Sequence, residues 1–385
     1  MKIRRQIDSQ LAGAATAFPA LVLTGPRRAG KTTCLRQVFP RASYSLLEDP
    51  DILARVKADP RAWLEELRRP AIIDEIQNAP ELFPYIRARI DAAPRKMGQW
   101  LLTGSQDFSL MEGVTESMAG RAALFHLLPF SFREMGRWDL LRGGFPEVQA
   151  KPRAASIWFR SYVQTYLERD VRAVTAVRDL TTFRRFLALL ASRNGQMLDK
   201  TDLAAPLGVS VPTIGQWISV LETTGLVLLV PPYFENFGKR LVKTPKLYWT
   251  DTGLLCSLLG FEDRRALERS TFIGGVFEAF LASEIVKNQL NAGRLRELYY
   301  FRDHQGLEID FVIPGKNGRL AFVEAKWSRT VLPEMARGIV SLLKNVKQPV
   351  RGLVVHRGGP EEGTAPRSLT PGVKAISVEG FLRAE

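Results

Sequence analysis

Short apolar runs alternate with helical patterns over residues 20–135. Four of these runs are predicted to be strands, and the stretches between them are predicted to be helices. The strands are Ala20–Thr24, Tyr44–Leu47, Ala71–Ile73 and Trp100–Thr103. Alternation of this kind favours a parallel sheet with helices on both faces. The pattern therefore predicts an α/β fold for the N-terminal part of the chain.

A glycine-rich break at Gly143–Pro146 suggests a boundary, and we expect domains at residues 1–150, 151–240 and 241–385. In the middle domain, residues 201–218 have the pattern of helix, glycine turn and helix, and the apolar run Leu226–Val230 suits a hairpin. This order predicts a winged helix, a module whose second helix enters the DNA major groove or which serves only as a rigid lid or protein contact. The residues expected on or near that helix are Ser210, Thr213, Gln216 and Trp217.

The pattern from about Thr271 onward predicts a helix, three strands, a helix and a further strand. No apolar run approaches the roughly 18 residues that a membrane span needs. The N-terminus lacks the features of a secretory signal, and the two cysteines, Cys34 and Cys256, exclude a disulfide framework. We therefore expect a cytoplasmic protein with no membrane partner.

The 385 residues carry a formal net charge of +14. A basic balance of this size favours a polyanionic partner, which makes DNA the expected ligand class. The alternative is a protein that is basic through its overall composition alone.

Gly25–Thr32 matches the pattern G-x-x-x-x-G-K-[ST], between an apolar strand and a helical segment. Backbone N–H groups of such a loop surround the phosphates of a nucleotide. We expect Lys31 to reach the β- and γ-phosphates of ATP and the Thr32 hydroxyl to bind Mg²⁺. The predicted nucleotide-binding residues are Gly25, Pro26, Arg27, Arg28, Ala29, Gly30, Lys31, Thr32 and Thr33.

Two acidic residues end the strand that begins at Ala71. Asp74 is expected to hold Mg²⁺ through water, and Glu75 to polarise the attacking water. Polar side chains also end the next strand, where we expect Ser105, with Thr103 as second choice, to sense the γ-phosphate. Capping of a helix or turn is the structural alternative for these residues.

Arg121 follows a loop and precedes an apolar strand. An arginine there could stabilise transition-state charge on the nucleotide of a neighbouring subunit, which would require a homo-oligomer. A surface ion pair is the alternative, and Arg133 is a weaker candidate for the same role.

A second cluster of candidate chemistry lies near the C-terminus. Asp310 falls in a predicted strand, Glu324 and Lys326 end the next strand, and Glu278 lies in the preceding helix. Residues 324 and 326 point to the same face of a strand, so a carboxylate and an ammonium would meet one phosphate. This is the pattern of PD-(D/E)xK nucleases, in which Glu278, Asp310 and Glu324 would hold a metal ion and Lys326 would stabilise hydroxide. A retained fold without turnover is the alternative.

The ordered motifs resemble those of AAA-type ATPases of bacteria and archaea whose C-terminal half is a domain of unknown function similar to a nuclease fold. The resemblance runs from Ile7 to about Arg357 and includes Leu128–Glu134, Gly143–Glu147 and Lys246–Leu254. It implies an ATPase core, a winged-helix middle and a restriction-endonuclease-like end. We expect an Mg²⁺-dependent, oligomeric ATPase that acts on DNA, including branched DNA. The alternatives are an ATP-dependent, metal-dependent DNA nuclease and an ATP-driven switch with a protein partner.

Overall fold

A computed structural model describes residues 3–104, 117–167, 180–233, 243–315, 318–344, 346, 348–359 and 363–384. Its helices and strands form an N-terminal parallel sheet flanked by helices, a helical middle part with one hairpin, and a C-terminal sheet. Of the predicted site residues, Ser105 lies outside the described residues.

The N-terminal sheet has five described strands in the order β2-β3-β4-β1-β5, and all of them run parallel. The strands are β1 (Ala20–Thr24), β2 (Ser43–Leu46), β3 (Ala71–Asp74), β4 (Trp100–Thr103) and β5 (Ala122–His126). The helices of this part are α1 (Asp8–Ala17), α2 (Lys31–Val38), α3 (Pro50–Ala58), α4 (Pro60–Glu66) and α5 (Leu82–Ala92). The predicted α/β class and the four predicted strands are confirmed.

Continuous burial explains why these strands were readable from the sequence. Every residue of β1, β3 and β4 is buried, as expected for parallel strands covered on both faces. Two apolar clusters cover the two faces: one contains Val22, Ile73 and Leu102, and the other contains Leu21, Leu23 and Ile72. The carboxyl ends of the strands therefore meet at one edge, where the candidate chemistry lies.

The middle part packs its helices around buried aromatic side chains, among them Phe159, Phe183 and Trp217. Its helices are α6 (Phe132–Met135), α7 (Pro146–Ala150), α8 (Ala155–Tyr162), α9 (Leu180–Ser192), α10 (Lys200–Ala204), α11 (Val211–Thr223), α12 (Thr252–Leu258) and α13 (Arg264–Arg269). The helical segments Lys200–Leu207 and Val211–Thr223 meet at 112°. Strands β6 (Val227–Val230) and β7 (Lys246–Trp249) form an antiparallel pair that spans the expected boundary at residue 240.

The C-terminal sheet is mixed and has six described strands in the order β12-β13-β11-β10-β9-β8. These are β8 (Tyr299–Arg302), β9 (Glu308–Pro314), β10 (Leu320–Lys326), β11 (Val350–His356), β12 (Arg367–Thr370) and β13 (Val373–Ser377). Its helices are α14 (Ile273–Asn291), α15 (Arg337–Leu343) and α16 (Val378–Ala384). Val323 packs in the cluster that contains α14, whereas Phe322 packs in the cluster that contains α15, so the two helices cover opposite faces.

Among the described residues, no single helix is long and apolar enough to cross a membrane. The bent pair at Lys200–Leu207 and Val211–Thr223 passes that test only when its two helices are taken together, by length and composition.

Candidate functional site

The phosphate loop lies between β1 and α2 and depends on two glycine conformations. Gly25 has φ +140°, and a Cβ there would lie 2.1 Å from the carbonyl oxygen of Leu127. Gly30 has φ +94° and caps the amino end of α2. Both positions therefore require glycine, because L side chains rarely adopt these angles and the first position has no room for one. The loop directs the amino end of α2 toward the cleft that it borders.

Lys31 and Thr32 begin α2 beside the acidic end of β3. The Lys31 ammonium is buried and donates to the carbonyl oxygens of Gly25 and Pro26, each at 3.0 Å. The Thr32 hydroxyl donates to Asp74 Oδ2 at 2.7 Å, and the Tyr44 hydroxyl donates to the same oxygen at 2.9 Å. Burial raises the pKa of Asp74, and the two hydroxyl hydrogen bonds act in the opposite direction. Tyr44 was missed by sequence reasoning because its partner lies 30 residues away.

The donor set here fits a magnesium ion. Asp74 Oδ1 is buried and has no hydrogen-bond partner among the described residues, while Oδ2 accepts from the Thr32 hydroxyl. An ionised carboxylate and a hydroxyl are ligands that Mg²⁺ uses together with phosphate oxygens and water. When bound with ATP, the ion would neutralise charge on the β- and γ-phosphates.

Glu75 follows Asp74 in a left-handed conformation, with φ +56°. Such a conformation is uncommon for a residue other than glycine, and it turns the chain directly after the buried strand. Gln77 donates a hydrogen bond to Glu75 Oε2, which fixes the carboxylate at the cleft wall. The Glu75 carboxylate therefore borders the same cavity as Lys31 and Asp74.

Thr103 ends β4 opposite Asp74 in the strand register. Its hydroxyl is fully buried and has no hydrogen-bond partner among the described residues. A buried hydroxyl without a partner is costly unless a ligand or water satisfies it. Thr103, the second choice for the γ-phosphate sensor, therefore stays a prediction.

Two adjoining cavities meet at Gly30 and Pro146. The first, of about 370 Å³, is polar and is bordered by Lys31, Asp74 and Glu75. The second, of about 200 Å³, has largely apolar walls that include Ile3, Phe130 and Met135. A charged cavity beside an apolar one suits the phosphate and base parts of a nucleotide, respectively.

Buried groups from distant segments hold the phosphate loop from behind. Arg5 donates to the carbonyl oxygens of Ala29 at 2.9 Å and Leu128 at 2.7 Å, and it pairs with Glu134 at 2.8 Å. Tyr162 donates to the carbonyl oxygen of Arg27 at 3.3 Å. These contacts connect the loop to the N-terminal segment and to the middle helices, and none of them has a local sequence signal.

His126 contacts the end of β1, just before the phosphate loop. His126 Nδ1 is 2.8 Å from the Thr24 hydroxyl, directly before Gly25. Burial lowers the pKa of His126 to about 4, with further lowering by the charges of Arg296 and Lys31. The ring is therefore neutral at physiological pH.

The two arginine candidates have different partners. Arg121 forms a bidentate pair with Asp91 at 2.6 and 3.0 Å. It directly precedes β5 and so lies at the amino ends of the parallel strands, away from the phosphate loop at their carboxyl ends. If Arg121 contacts a nucleotide, that nucleotide would have to belong to another subunit. Arg133 donates to the carbonyl oxygens of Leu382 and Arg383 at the end of α16, which gives it a structural role within the chain.

The four predicted residues of the C-terminal centre are brought together as ion pairs. Lys326 pairs with Glu324 at 2.7 Å and with Asp310 at 3.8 Å, while Glu278 pairs with Lys246 at 3.2 Å. Burial raises the pKa of Glu278 and of Glu324, and the charge of Asp310 adds to both effects. In the described part of the chain, no group of three His, Cys, Asp or Glu side chains is placed to hold a metal ion. As they stand, these carboxylates are paired with lysine ammonium groups.

The second helix of the middle pair presents a neutral outer face. Ser210 caps α11 by accepting from the Thr213 backbone N–H at 3.2 Å, and Gln216 is exposed. Trp217 is buried and packs against Phe183 and Phe186, so it is unable to contact DNA from this position. α11 itself contains no lysine or arginine.

Family models match three consecutive parts of the chain. An AAA domain matches residues 17–136, a domain of unknown function (DUF8612) matches residues 137–265, and a second domain of unknown function (DUF4143) matches residues 273–371. Two curated relatives are the uncharacterized proteins Rv2008c of Mycobacterium tuberculosis and Mb2031c of Mycobacterium bovis. Each is 34% identical over 366 residues, a match that covers 92% of this chain and 80% of the relative.

Three solved structures match part of this chain at low similarity. The Walker-type ATPase PABY2304 of Pyrococcus abyssi is 14% identical, covers 66% of this chain and 95% of its own, and has a TM-score of 0.42. A RuvB variant of Thermotoga maritima is 16% identical, with coverages of 58% and 89% and a TM-score of 0.30. AMPPCP-bound DnaA of Aquifex aeolicus is 14% identical, with coverages of 56% and 85% and a TM-score of 0.27.

Proposed function

We propose that this chain, which belongs to the same family as the mycobacterial proteins Rv2008c and Mb2031c, hydrolyses Mg²⁺-bound ATP in order to act on nucleic acid. Its AAA domain makes it an ATPase. The observation that carries the proposal is the contact between Thr32 and Asp74, which joins the phosphate loop to the acidic end of β3. This pair presents a hydroxyl and a buried carboxylate oxygen to the same point of the cleft.

The chain's own residues divide the work of hydrolysis. Lys31 would hold the β- and γ-phosphates, and Thr32 and Asp74 would hold the Mg²⁺ ion, which would neutralise charge on those phosphates. Glu75 accepts a hydrogen bond from the attacking water and so orients it toward the γ-phosphate, while Thr103 donates to an oxygen of that phosphate. The base lies in the apolar cavity beside Phe130.

Two substitutions separate binding from turnover. Lys31→Ala should abolish binding of a fluorescent ATP analogue, whereas Glu75→Gln should keep binding and lower phosphate release by roughly 10²–10⁴-fold. Glu66→Gln is the matched control, because Glu66 pairs with Arg55 on the exposed surface. If Glu75→Gln hydrolyses ATP at the wild-type rate, Glu75 is not the residue that orients water.

Two features support nucleic acid as the partner. The net charge of +14 favours a polyanion, and the perpendicular helices α10 and α11 followed by the β6–β7 hairpin have the order of a winged helix. Because α11 lacks basic residues, phosphate contacts must come from other surfaces, and we expect weak sequence preference. The position of Arg121 away from its own phosphate loop supports action as a homo-oligomer.

Binding of duplex, single-stranded and branched DNA, with the ATPase rate measured in each case, tests this part of the proposal. We expect DNA to bind at low salt and to change the rate. Absence of binding at low salt would favour the alternative of a switch with a protein partner.

A further inference from the structure

The carboxylates of the C-terminal centre are paired with basic side chains of the chain itself, and one of these side chains, Lys246, comes from the β6–β7 hairpin. Lys246 in β7 is 3% exposed, and its ammonium lies 3.2 Å from Glu278 Oε1 and 2.5 Å from Glu308 Oε1. The Tyr248 hydroxyl donates to Glu278 as well, two residues further along the same strand. The hairpin therefore places a positive charge and a hydroxyl donor on a carboxylate of α14.

The other carboxylates of the centre also have basic partners. Arg302 pairs with Glu308 at 2.9 Å, and Lys326 pairs with Glu324 and Asp310. Asp310 also accepts the backbone N–H of Ala325 at 2.8 Å. Four carboxylates thus face three basic side chains, and a divalent ion would have to displace an ammonium that the buried carboxylates hold.

Lys246 has two carboxylate partners and an aromatic neighbour. Its ammonium pairs with Glu278 and with Glu308. Its ammonium also lies 5.5 Å from the centre of the Tyr300 ring, which favours a cation.

The other arm of the hairpin is joined to the same sheet through main-chain hydrogen bonds. After β6, the Tyr300 N–H donates to the carbonyl oxygen of Pro231 at 3.1 Å, and the Tyr233 N–H donates to the carbonyl oxygen of Tyr300 at 2.7 Å. Gly225, in the turn before β6, lies against the phosphate loop, since a Cβ there would lie 3.2 Å from Pro26. The hairpin and the turn that precedes it therefore contact both the phosphate loop and the C-terminal sheet.

We propose that the C-terminal constellation is a metal-free ion-pair clamp, in which Lys246 fastens the β6–β7 hairpin to the C-terminal sheet and takes the place that a nuclease-like centre would give to a divalent ion. The clamp joins the segment that contacts the phosphate loop to the sheet that carries Asp310 and Glu324. Its role is mechanical coupling between the two parts of the chain.

Metal binding tests the first half of the proposal on the full-length chain. Mn²⁺ is titrated into the Asp74→Asn protein, which lacks the carboxylate of the nucleotide site, and free Mn²⁺ is measured by electron paramagnetic resonance. We expect the C-terminal centre to take up no Mn²⁺, so that adding Asp310→Asn changes nothing. Uptake of one equivalent that disappears with Asp310→Asn would overturn the clamp.

Unfolding tests the second half. Lys246→Met keeps the length of the side chain, and it should lower the urea midpoint by roughly 1 M, because it leaves the partly buried carboxylates of Glu278 and Glu308 without this cation. Adding Glu278→Gln should restore part of this shift, an effect that mere loss of packing would not produce. Lys374→Met, at an exposed position of β13, is the matched control. Equal midpoints for Lys246→Met and Lys374→Met, or no recovery in the double variant, would refute the proposal.

Discussion

Replacement of Arg5 by methionine is the sharpest test of how the phosphate loop is supported. The guanidinium is 4% exposed and contacts three segments: it pairs with Glu134, and it donates to the carbonyl oxygens of Ala29 and Leu128. It also lies 4.8 Å from the centre of the Phe130 ring. Methionine retains the apolar contact of the stem and removes every donor.

The expected loss is about 3 kcal/mol of unfolding free energy. Removing one partner of a buried ion pair typically costs about 3–5 kcal/mol, because the other charge remains buried. Glu134 keeps two backbone donors, Gln6 N–H at 3.0 Å and Ser131 N–H at 2.8 Å, which moves the estimate to the lower end. The carbonyl oxygen of Ala29 would lose its guanidinium donor, so affinity for ATP should fall as well.

Urea unfolding and titration with a fluorescent ATP analogue measure the two effects. Arg4→Met is the matched control, since Arg4 is 87% exposed and pairs with Asp8 only at 3.8 Å. An exposed pair of this kind contributes about 0–1 kcal/mol. Arg4→Met should therefore leave both the free energy of unfolding and the affinity for the ATP analogue nearly unchanged.

Equal behaviour of the two variants would refute the reasoning. A loss below about 1 kcal/mol for Arg5→Met would mean that water replaces the guanidinium at Glu134. If Arg5→Met loses the expected stability of about 3 kcal/mol but binds the nucleotide with unchanged affinity, then Arg5 supports the fold without affecting the geometry of the phosphate loop.

Three further predictions concern assembly, partner and pH. Arg121→Ala should lower the rate of ATP hydrolysis by about 10³–10⁵-fold with little change in nucleotide affinity, and mixing it with Lys31→Ala protein should restore part of the rate; a monomer whose specific rate is independent of concentration would contradict this. The logarithm of the affinity for duplex DNA should fall linearly with the logarithm of salt concentration, with a slope near −0.9 per phosphate contacted, and a flat dependence would argue against phosphate contacts. The pKa of folded His126 is about 4, and its ordinary value is 6.5, so the unfolded chain takes up a proton first as the pH falls. The free energy of unfolding should therefore fall by up to about 3 kcal/mol between pH 6.5 and pH 4. Urea unfolding of His126→Gln over the same range should lack this pH-dependent loss of stability.

Contiguous patterns in the sequence determined the ATPase half of the molecule. Strands β1, β3 and β4 are buried on both faces, so their apolar character is continuous and visible without any partner. The phosphate loop and the Asp74–Glu75 pair each lie within one short segment at a strand end. Their meeting at one sheet edge follows from parallel strand direction, and the contact between Thr32 and Asp74 agrees with it.

The tertiary structure alone decided which groups surround these segments. Arg5 meets Glu134 across 129 residues, Tyr44 meets Asp74 across 30, and Thr103 proved to have a buried hydroxyl without a partner among the described residues. Long-range contacts of this kind leave no periodic signal in the sequence, because they depend on how whole elements pack.

The same reason explains the C-terminal centre. The order of Glu278, Asp310, Glu324 and Lys326 was readable, and the structure brings the four side chains together. No local pattern indicated that Lys246 would reach this centre from a hairpin of the middle part, since that lysine lies 32 residues from Glu278 along the chain. A carboxylate motif specifies which groups converge, whereas the cation that neutralises them is chosen by tertiary packing, because a buried charge takes whichever partner the fold brings within reach.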